Sequence, residues 1–387
     1  MYPKFLVKKT TKYGRLGEIQ TIHGNIQTPA FIFCATKGAI KSATPDVLRK
    51  ENTQVILSNT YHLMVYPGSK KIHKLGGLQK FTAWNGPMMT DSGGYQIFSL
   101  GYGSVSQELK GMRKIEEPLV KVFEDGAHFQ SYRDGKELFL SPEISMQAQI
   151  DFGSDLVFVL DECTAFNIKK FETEKSMYRS HRWAKRSLNY FQRHKKPHQG
   201  LYGIIQGGIY DDLRTESLKF INEMNFFGIG IGGSLGKDLK DMNNILAFID
   251  KRIDKSKPVH LLGIGTIDSI LIGIPYGIDT FDCVYPTRLA RHGGALIKDN
   301  SKNNKKRYLN LKNQEFEMDE RPIDENCNCC TCATFTRAYL HMMMKNDENI
   351  AIMALTQHNI AFMNRFMSLI REALDKDLWP EFLKEWQ

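Results

Sequence analysis

Polar residues stand where several short apolar runs of the sequence end. The run GPMMT is followed by D-S-G-G-Y-Q (91–96), so an acid, a hydroxyl and two glycines arrive together. An ordinary turn is the alternative, because these residue types favour turns anywhere. Comparable positions recur along the chain and are occupied by Asp91, Asp161, Gln206, Gly232, Gly233, Gly263 and Asp282. A carboxylate ionised at neutral pH can act as a nucleophile, so these positions are candidates for an active site.

A second group of reactive residues is a cysteine cluster. Four of the seven cysteines fall in C-N-C-C-T-C, at 327, 329, 330 and 332. In a chain of the cytosol such a cluster favours metal over disulfides. Cys327, Cys329 and Cys332 with His358 would form a closed, structural Cys₃His zinc site. Cys330 adjoins Cys329, which makes simultaneous binding awkward, and a redox pair of cysteines is the alternative.

The elements that must position these residues follow a regular alternation. Eight apolar, β-branched runs recur, and most are separated by segments with a helical pattern, such as 174–194 and 239–253. Such an alternation is typical of parallel βα units and predicts a (β/α)8 TIM barrel, with an open doubly wound sheet as the alternative. The runs are 30–36, 54–60, 86–94, 156–162, 201–208, 226–233, 259–266 and 277–283. In a barrel the strand ends meet at one rim, which favours the catalytic interpretation of Asp91 over the turn.

Two stretches interrupt the alternation and suggest the domain organisation. We expect residues 1–298 to form the barrel, with an insertion over its mouth at about 101–142 that includes a hairpin. Residues 299–387 would form a zinc-binding subdomain and closing C-terminal helices. That part begins with a basic loop, and its long amphipathic helix is predicted at about 350–374.

Composition narrows the class of protein. Of the 387 residues 42% are hydrophobic and 25% charged, as in globular proteins, and there is no run long and apolar enough for a membrane span. The first residues lack the features of a secretory signal, so we expect a cytoplasmic protein. The net charge of +9 has two interpretations, a lysine-rich proteome or a polyanionic partner such as nucleic acid.

Several motifs together resemble one family, the bacterial tRNA-guanine transglycosylases (queuine tRNA-ribosyltransferases). They are SNTYHL (58–63), TDSGGYQ (90–96), LDEC (160–163), GIIQGG (203–208), IGG (231–233), LLGIG (261–265), FDCVYPTRLARHG (281–293) and CNCCTC with His358. The resemblance covers nearly the whole chain. It implies a zinc-bearing TIM barrel, a homodimer, and exchange of the wobble guanine of the tRNAs for Asp, Asn, His and Tyr for a 7-deazaguanine.

The resemblance also implies roles for individual residues. Asp282 matches the nucleophile that forms a covalent aspartyl-ribosyl intermediate, and Asp91 matches the general acid/base. The base pocket would comprise Asp91, Ser92, Gly93, Gly94, Tyr95, Asp161, Cys163, Gln206, Gly232 and Gly233. Asp161 would accept from the N1–H and N2–H of guanine, and the Gln206 amide and Gly233 N–H would donate to O6. Tyr95 would stack on the base.

RNA contacts are implied on two further segments. The first comprises Gly263, Ile264, Gly265, Thr266, Ile267, Asp268 and Ser269, which would contact the RNA backbone. The second comprises Thr287, Arg288, Leu289, Ala290 and Arg291, of which Thr287 and the two arginines would lie against the bases that flank the wobble position. The target base must be flipped out of the anticodon loop. Solvated surface charge is the alternative for the arginines.

The chain departs from the family at one place and leaves other classes open. Many bacterial members read GGLAVGE where this chain has G-G-S-L-G-K (232–237), so Lys237 replaces an acid that helps to accept the ammonium of 7-aminomethyl-7-deazaguanine. The replacement leaves the choice of incoming base unchanged if Asp238 takes over the role of the acid or if Lys237 points to solvent. Otherwise a larger base such as queuine is favoured. The alternative functions are a metal-dependent barrel hydrolase or lyase, and a non-catalytic RNA-binding subunit of the same fold.

Overall fold

A closed barrel of eight parallel strands forms the centre of the protein. The computed structural model describes residues 2–96, 120–164, 166, 168–298 and 307–386. The barrel strands are Ala30–Cys34, Ile56–Ser58, Met88–Thr90, Leu156–Phe158, Gly200–Ile205, Gly228–Ile231, Val259–Leu261 and Thr280–Cys283. Each coincides with one of the eight apolar runs, although Gly200–Ile205 begins one residue before its run, so the predicted TIM barrel is confirmed. We number them barrel strands 1 to 8 in this order.

The register of the strands closes the barrel. Barrel strand 8 pairs in parallel with barrel strand 1, from Thr280 opposite Ala30 to Cys283 opposite Phe33. The strands are short and buried on both faces, which is why they appear in the sequence as continuous apolar runs. Their carboxyl ends therefore share one rim, here called the mouth.

Helices surround the barrel and link its strands. Their bounds are Pro45–Lys50, Thr60–Val65, Ser69–Lys74, Leu78–Thr82, Pro142–Phe152, Lys170–His194, Asp211–Glu223, Leu239–Asp250, Ile267–Gly273 and Tyr285–Arg291. Two predicted helices, 174–194 and 239–253, match Lys170–His194 and Leu239–Asp250. Their apolar faces cover the strands and complete the main hydrophobic core.

A three-stranded antiparallel sheet, which the sequence analysis did not foresee, precedes the barrel. Its strands are Lys4–Thr11, Gly14–Thr21 and Gly24–Thr28. It lies at the end of the barrel opposite the mouth, where Arg15 pairs with the buried Asp279 at the start of barrel strand 8. Asp279 also accepts the N–H of Val259, at 2.7 Å, so this carboxylate ties two barrel strands to the sheet.

A second small sheet lies between barrel strands 3 and 4. Its strands Val120–Val122, Ala127–Gln130 and Glu137–Leu140 are antiparallel, so the segment predicted as a hairpin forms a three-stranded meander. Its apolar side packs on Tyr61 and Leu160, which follow barrel strands 2 and 4 at the mouth. The part of the predicted insertion at 101–119 lies outside the described residues.

The C-terminal part combines short elements with one long helix. Strands Gly294–Leu296 and Tyr308–Asn310 pair, and helices Cys330–Thr334, Arg337–Lys345, Asn349–Asp375 and Trp379–Trp386 follow. The first residues of helix Asn349–Asp375 belong to a separate apolar cluster, and its later residues pack into the barrel core. The basic residues at 299–306 lie outside the described part, and the division into units at 298/299 stays a prediction. Among the described helices none combines the length and the apolar character needed to cross a membrane.

Candidate active site

Asp282 lies on barrel strand 8 and is held at the mouth by two donors to one carboxylate oxygen. Its Oδ1 accepts the backbone N–H of Gly263 at 2.7 Å and lies 3.0 Å from Nε2 of His260. The other ring nitrogen of His260 lies 2.8 Å from the Thr280 hydroxyl. Oδ2 has a weaker neighbour, the Cys34 thiol at 3.6 Å. Burial raises the pKa of Cys34, which keeps this thiol neutral, so Oδ2 has the lone pairs for attack.

Asp91 stands directly after barrel strand 3, and the SNTYHL segment holds it. Its carboxylate accepts the N–H of Thr60 at 2.9 Å and a hydrogen bond from the Asn59 amide. Asn59 also caps helix Thr60–Val65 through the N–H of His62, so one side chain fixes both the helix and the acid. Burial raises the pKa of Asp91 to about 7, and the charge of Asp282 adds to the rise. Asp91 can therefore exchange a proton near neutral pH.

Asp161 and Gln206 form a buried polar pair across the ends of barrel strands 4 and 5. The Gln206 Nε2 donates to Asp161 Oδ2 at 2.7 Å, and the hydroxyl of Ser92 lies 3.4 Å from Oδ1. Cys163 donates to the same carboxylate at 3.5 Å, and burial raises the pKa of this thiol. Burial raises the pKa of Asp161 to about 6. An acceptor and an amide thus lie side by side, as recognition of a planar base requires.

Glycines allow the loops of the mouth to approach these carboxylates. A Cβ on Gly94 would lie 2.3 Å from the Asp161 carbonyl oxygen, so only glycine fits there. Gly93 and Gly233 have φ of +86° and +67°, in the left-handed region that favours glycine. Gly232 follows barrel strand 6 and bonds through its N–H to the Ile205 carbonyl. The side chain of Tyr95 is 49% exposed at the mouth.

The two segments predicted to contact RNA flank Asp282 at the same rim. Gly263, Thr266 and Arg288 are exposed, whereas Ile267, Ser269, Thr287 and Ala290 have buried side chains. Ile264, Asp268, Leu289 and Arg291 are intermediate, and Gly265 is buried. Asp268 forms an ion pair with Arg307, and Arg291 donates to the Thr287 carbonyl. A partner would therefore contact the exposed side chains of these two segments and their backbone atoms.

The predicted metal ligands converge in the C-terminal part. One ligand atom from each of Cys327, Cys329, Cys332 and His358 lies within 4.8 Å of all the others. The Nε2 of His358 lies 2.8 Å from the Leu296 carbonyl, so it carries the proton and leaves Nδ1 for the thiols. Cys330 is exposed and faces Thr334 instead. The cluster could hold one metal ion, and its soft, closed Cys₃His donor set fits zinc.

The sequence analysis missed three residues that hold the mouth together. They are Asn59, His260 and Arg214, which lie beside Asp91, beside Asp282 and between two mouth loops. A histidine inside the apolar run V-H-L-L was a usable signal, because a buried imidazole needs a partner. Nothing in the sequence near Arg214 marked it as buried, since arginine on a helix is ordinarily exposed.

Comparisons with known proteins identify the family of the chain. The family model described as queuine tRNA-ribosyltransferase matches residues 9–387. A queuine tRNA-ribosyltransferase of Roseiflexus sp. (strain RS-1) is 39% identical over 384 residues, which cover 96% of this chain and 95% of the relative. One from Chlamydia trachomatis serovar L2 is 43% identical over 366 residues, with 94% and 95% covered, and one from Chlamydia pneumoniae is 42% identical over 367.

Proposed function

The chain belongs to the queuine tRNA-ribosyltransferase family and is a tRNA-guanine transglycosylase, a pentosyltransferase; from this premise we propose how its residues act and on what. The enzyme exchanges guanine at the wobble position of the tRNAs for Asp, Asn, His and Tyr for a 7-deazaguanine. Asp282 is the nucleophile and Asp91 the general acid/base. The observation that carries the assignment is the Asp282 carboxylate, with Oδ1 bound by two donors and Oδ2 left for attack.

The reaction is two displacements at the ribose. Oδ2 of Asp282 attacks C1′ of the flipped-out nucleotide, the glycosidic bond to guanine breaks, and Asp91 gives its proton to the departing base. The incoming base then loses a proton to Asp91, attacks C1′ and expels the Asp282 carboxylate. Two inversions retain the configuration at C1′. The raised pKa of Asp91, about 7, suits a group that gives and takes one proton in a cycle.

Recognition of the base follows from the Asp161–Gln206 pair. We assign the guanine N1–H and N2–H to Asp161, and O6 to the Gln206 amide and the Gly233 N–H. Ser92, Cys163 and the Gly93–Gly94 turn support the Asp161 carboxylate, and Tyr95 stacks on the base. We assign the RNA to the rim formed by residues 263–269 and 287–291, with Arg288 exposed toward it.

The replacement of Asp282 by asparagine tests the proposal. Asp282→Asn should abolish both turnover and the covalent tRNA adduct seen on a denaturing gel, because a neutral amide is a poor nucleophile. Glu162→Gln is the matched control, since this acid stands at the same rim but pairs with Arg179 at 2.7 Å. Its adduct should persist. An adduct in Asp282→Asn equal to that of the wild type would show that the nucleophile lies elsewhere.

Zinc is the metal that we assign to the Cys₃His cluster. Neither the type of the four ligands nor the position of the cluster suits catalysis, so the metal has a structural role. Within the described residues no second group of three or more His, Cys, Asp or Glu side chains gathers around one point. That speaks against the metal-dependent hydrolase, and the presence of both Asp91 and Asp282 speaks against a non-catalytic subunit.

For the incoming base we propose queuine in preference to 7-aminomethyl-7-deazaguanine. Lys237 is exposed, so its own charge does not repel a cationic base, and the preference rests on the missing acid alone. The side chain of Asp238 caps helix Leu239–Asp250 by accepting from the N–H groups of Lys240 and Asp241. Asp238 is thus engaged and does not supply the missing acid. Competition of each free base against labelled guanine in tRNA tests the preference. A clear preference for the aminomethyl base that survives Asp238→Ala would contradict the proposal.

A further inference from the structure

Arg214 is a buried arginine whose partners are all backbone carbonyls. It lies on helix Asp211–Glu223, behind the mouth, and is 1% exposed. Nε donates to the Gly208 carbonyl at 2.8 Å, and Nη1 donates to Gly232 at 2.8 Å and more weakly to Ile205 at 3.4 Å. Nη2 donates to the Ser234 carbonyl at 3.0 Å. One guanidinium therefore joins the loops that follow barrel strands 5 and 6.

The charge of Arg214 makes this arrangement costly. No carboxylate of the described residues lies within ion-pair distance of its guanidinium, and burial lowers the pKa of Arg214 to about 9. The group remains charged at neutral pH, so a full positive charge is buried with carbonyl dipoles as its only compensation. A neutral side chain would pack here at lower cost. The arginine is therefore better explained by what it does to the loops.

The planarity of the peptide group shows what it does. In a trans peptide the C=O and the next N–H point in opposite directions. Because the Gly232 and Ser234 carbonyls face Arg214, the N–H groups of Gly233 and Leu235 point away from it. Gly233 adjoins the base-reading pair, since a Cβ there would lie 3.0 Å from Oε1 of Gln206.

We propose that Arg214 is a positioning residue that sets base specificity, by holding the Gly232 and Ser234 carbonyls away from the base and the N–H groups of Gly233 and Leu235 toward it. The proposal rests on the proposed function and deepens it. Such a wall donates to O6 of guanine and keeps these two carbonyls from accepting an ammonium of the base. A base with a primary ammonium group is therefore disfavoured.

The test compares Arg214→Lys with a matched control. Lysine keeps the charge but presents a single nitrogen, which cannot span four carbonyls in two loops. Arg15→Lys is the control, because Arg15 is also buried and bonds carbonyls but lies at the opposite end of the barrel. For each enzyme one measures the KM for labelled guanine, the KM for tRNA, and the inhibition of guanine exchange by 7-aminomethyl-7-deazaguanine and by queuine.

We expect Arg214→Lys to raise the KM for guanine about tenfold, the effect of one weakened hydrogen bond. Its discrimination against the aminomethyl base should fall by a similar factor, with the KM for tRNA within about twofold of the wild type. Arg15→Lys should change neither. Unchanged base kinetics in a folded Arg214→Lys, equal effects in both variants, or a wild type that prefers the aminomethyl base would each overturn the inference. If the wild type does not exchange guanine at all, the proposed function fails instead.

Discussion

Three aspartates at one rim have three different environments, and these determine their proposed roles. One oxygen of Asp282 accepts two hydrogen bonds. The Asp91 carboxylate accepts hydrogen bonds from the Asn59 amide and from a backbone N–H. The Asp161 carboxylate accepts one from an amide and weaker ones from a hydroxyl and a thiol. For Asp91 and Asp161 burial outweighs these donors, and both pKa values rise. Residue types alone could not separate the three, because burial depends on the whole fold.

The raised pKa values predict a narrow pH optimum. Asp91, with a pKa of about 7, must be protonated to release guanine, so kcat/KM for tRNA should fall as the pH rises through that value. Asp161, with a pKa of about 6, must be ionised to accept from guanine, so kcat/KM should also fall as the pH drops through that value. Asp161→Asn should remove the acid limb. A wild-type profile that is flat between about pH 5 and pH 8 would contradict both assignments.

His260 positions Asp282, and its loss should affect the chemical step rather than binding. His260→Phe keeps an aromatic side chain in the buried site but removes the donor to Oδ1. We expect kcat for guanine exchange to fall about tenfold to a hundredfold, the usual cost of a misplaced reacting group, with the KM for tRNA nearly unchanged. His260→Gln, which can still donate, should recover part of the rate. Equal losses in the two variants would indicate a packing role alone.

At the scale of elements, the strand ends could be predicted and the contacts between distant elements could not. The apolar runs located all eight barrel strands because each is buried on both faces. The N-terminal sheet was missed because its outer strand, Lys4–Thr11, has no buried residue and only a short apolar stretch, at residues 5–7. Contacts such as that of Arg214 with Ser234 depend on how two loops approach in space. No local pattern encodes them.

The turn after barrel strand 3 should tolerate only glycine at its tightest point. Gly94→Ala would place a Cβ 2.3 Å from the Asp161 carbonyl oxygen, which forces this segment away from the base-reading carboxylate. We expect the KM for guanine to rise by about tenfold or more, by analogy with the loss of one hydrogen bond. Gly135→Ala is the control, since a Cβ there meets nothing within 4 Å and adds only backbone strain. Unaltered base kinetics in a folded Gly94→Ala would exclude this turn from the pocket.

The cysteine segment makes a prediction about the metal. Cys332→Ser should lose the metal and lower the melting temperature, because three ligands remain of a set of four. Cys330→Ser should retain one zinc per chain by elemental analysis, since Cys330 is exposed and outside the cluster. The ligand set would be wrong if Cys330→Ser lost zinc and Cys332→Ser kept it.

For the whole molecule the net charge of +9 is opposite in sign to the charge of tRNA, a polyanion. Binding should weaken steeply with salt because phosphate contacts release counterions. Arg288→Ala and Arg291→Ala should weaken the choice among tRNAs that differ in the anticodon, measured as the ratio of their kcat/KM values. Arg252→Ala is the control, because Arg252 stacks on Phe248 at the opposite end of the barrel. If both mouth variants select tRNAs as the control does, these arginines are surface charge only.

Two neighbouring residues of helix Asn349–Asp375 contact two different parts of the protein. His358 joins the cysteine cluster, and Asn359 binds the Pro286 carbonyl, the Gly294 carbonyl and the Leu296 N–H, on the chain that runs on from Asp282. The proposed metal site and the proposed RNA site thus share one helix as support, and their binding equilibria would be subject to reciprocity. If bound metal raises the affinity for tRNA by some factor, bound tRNA raises the affinity for the metal by the same factor. A cell rich in substrate tRNA would then protect this enzyme against metal scarcity.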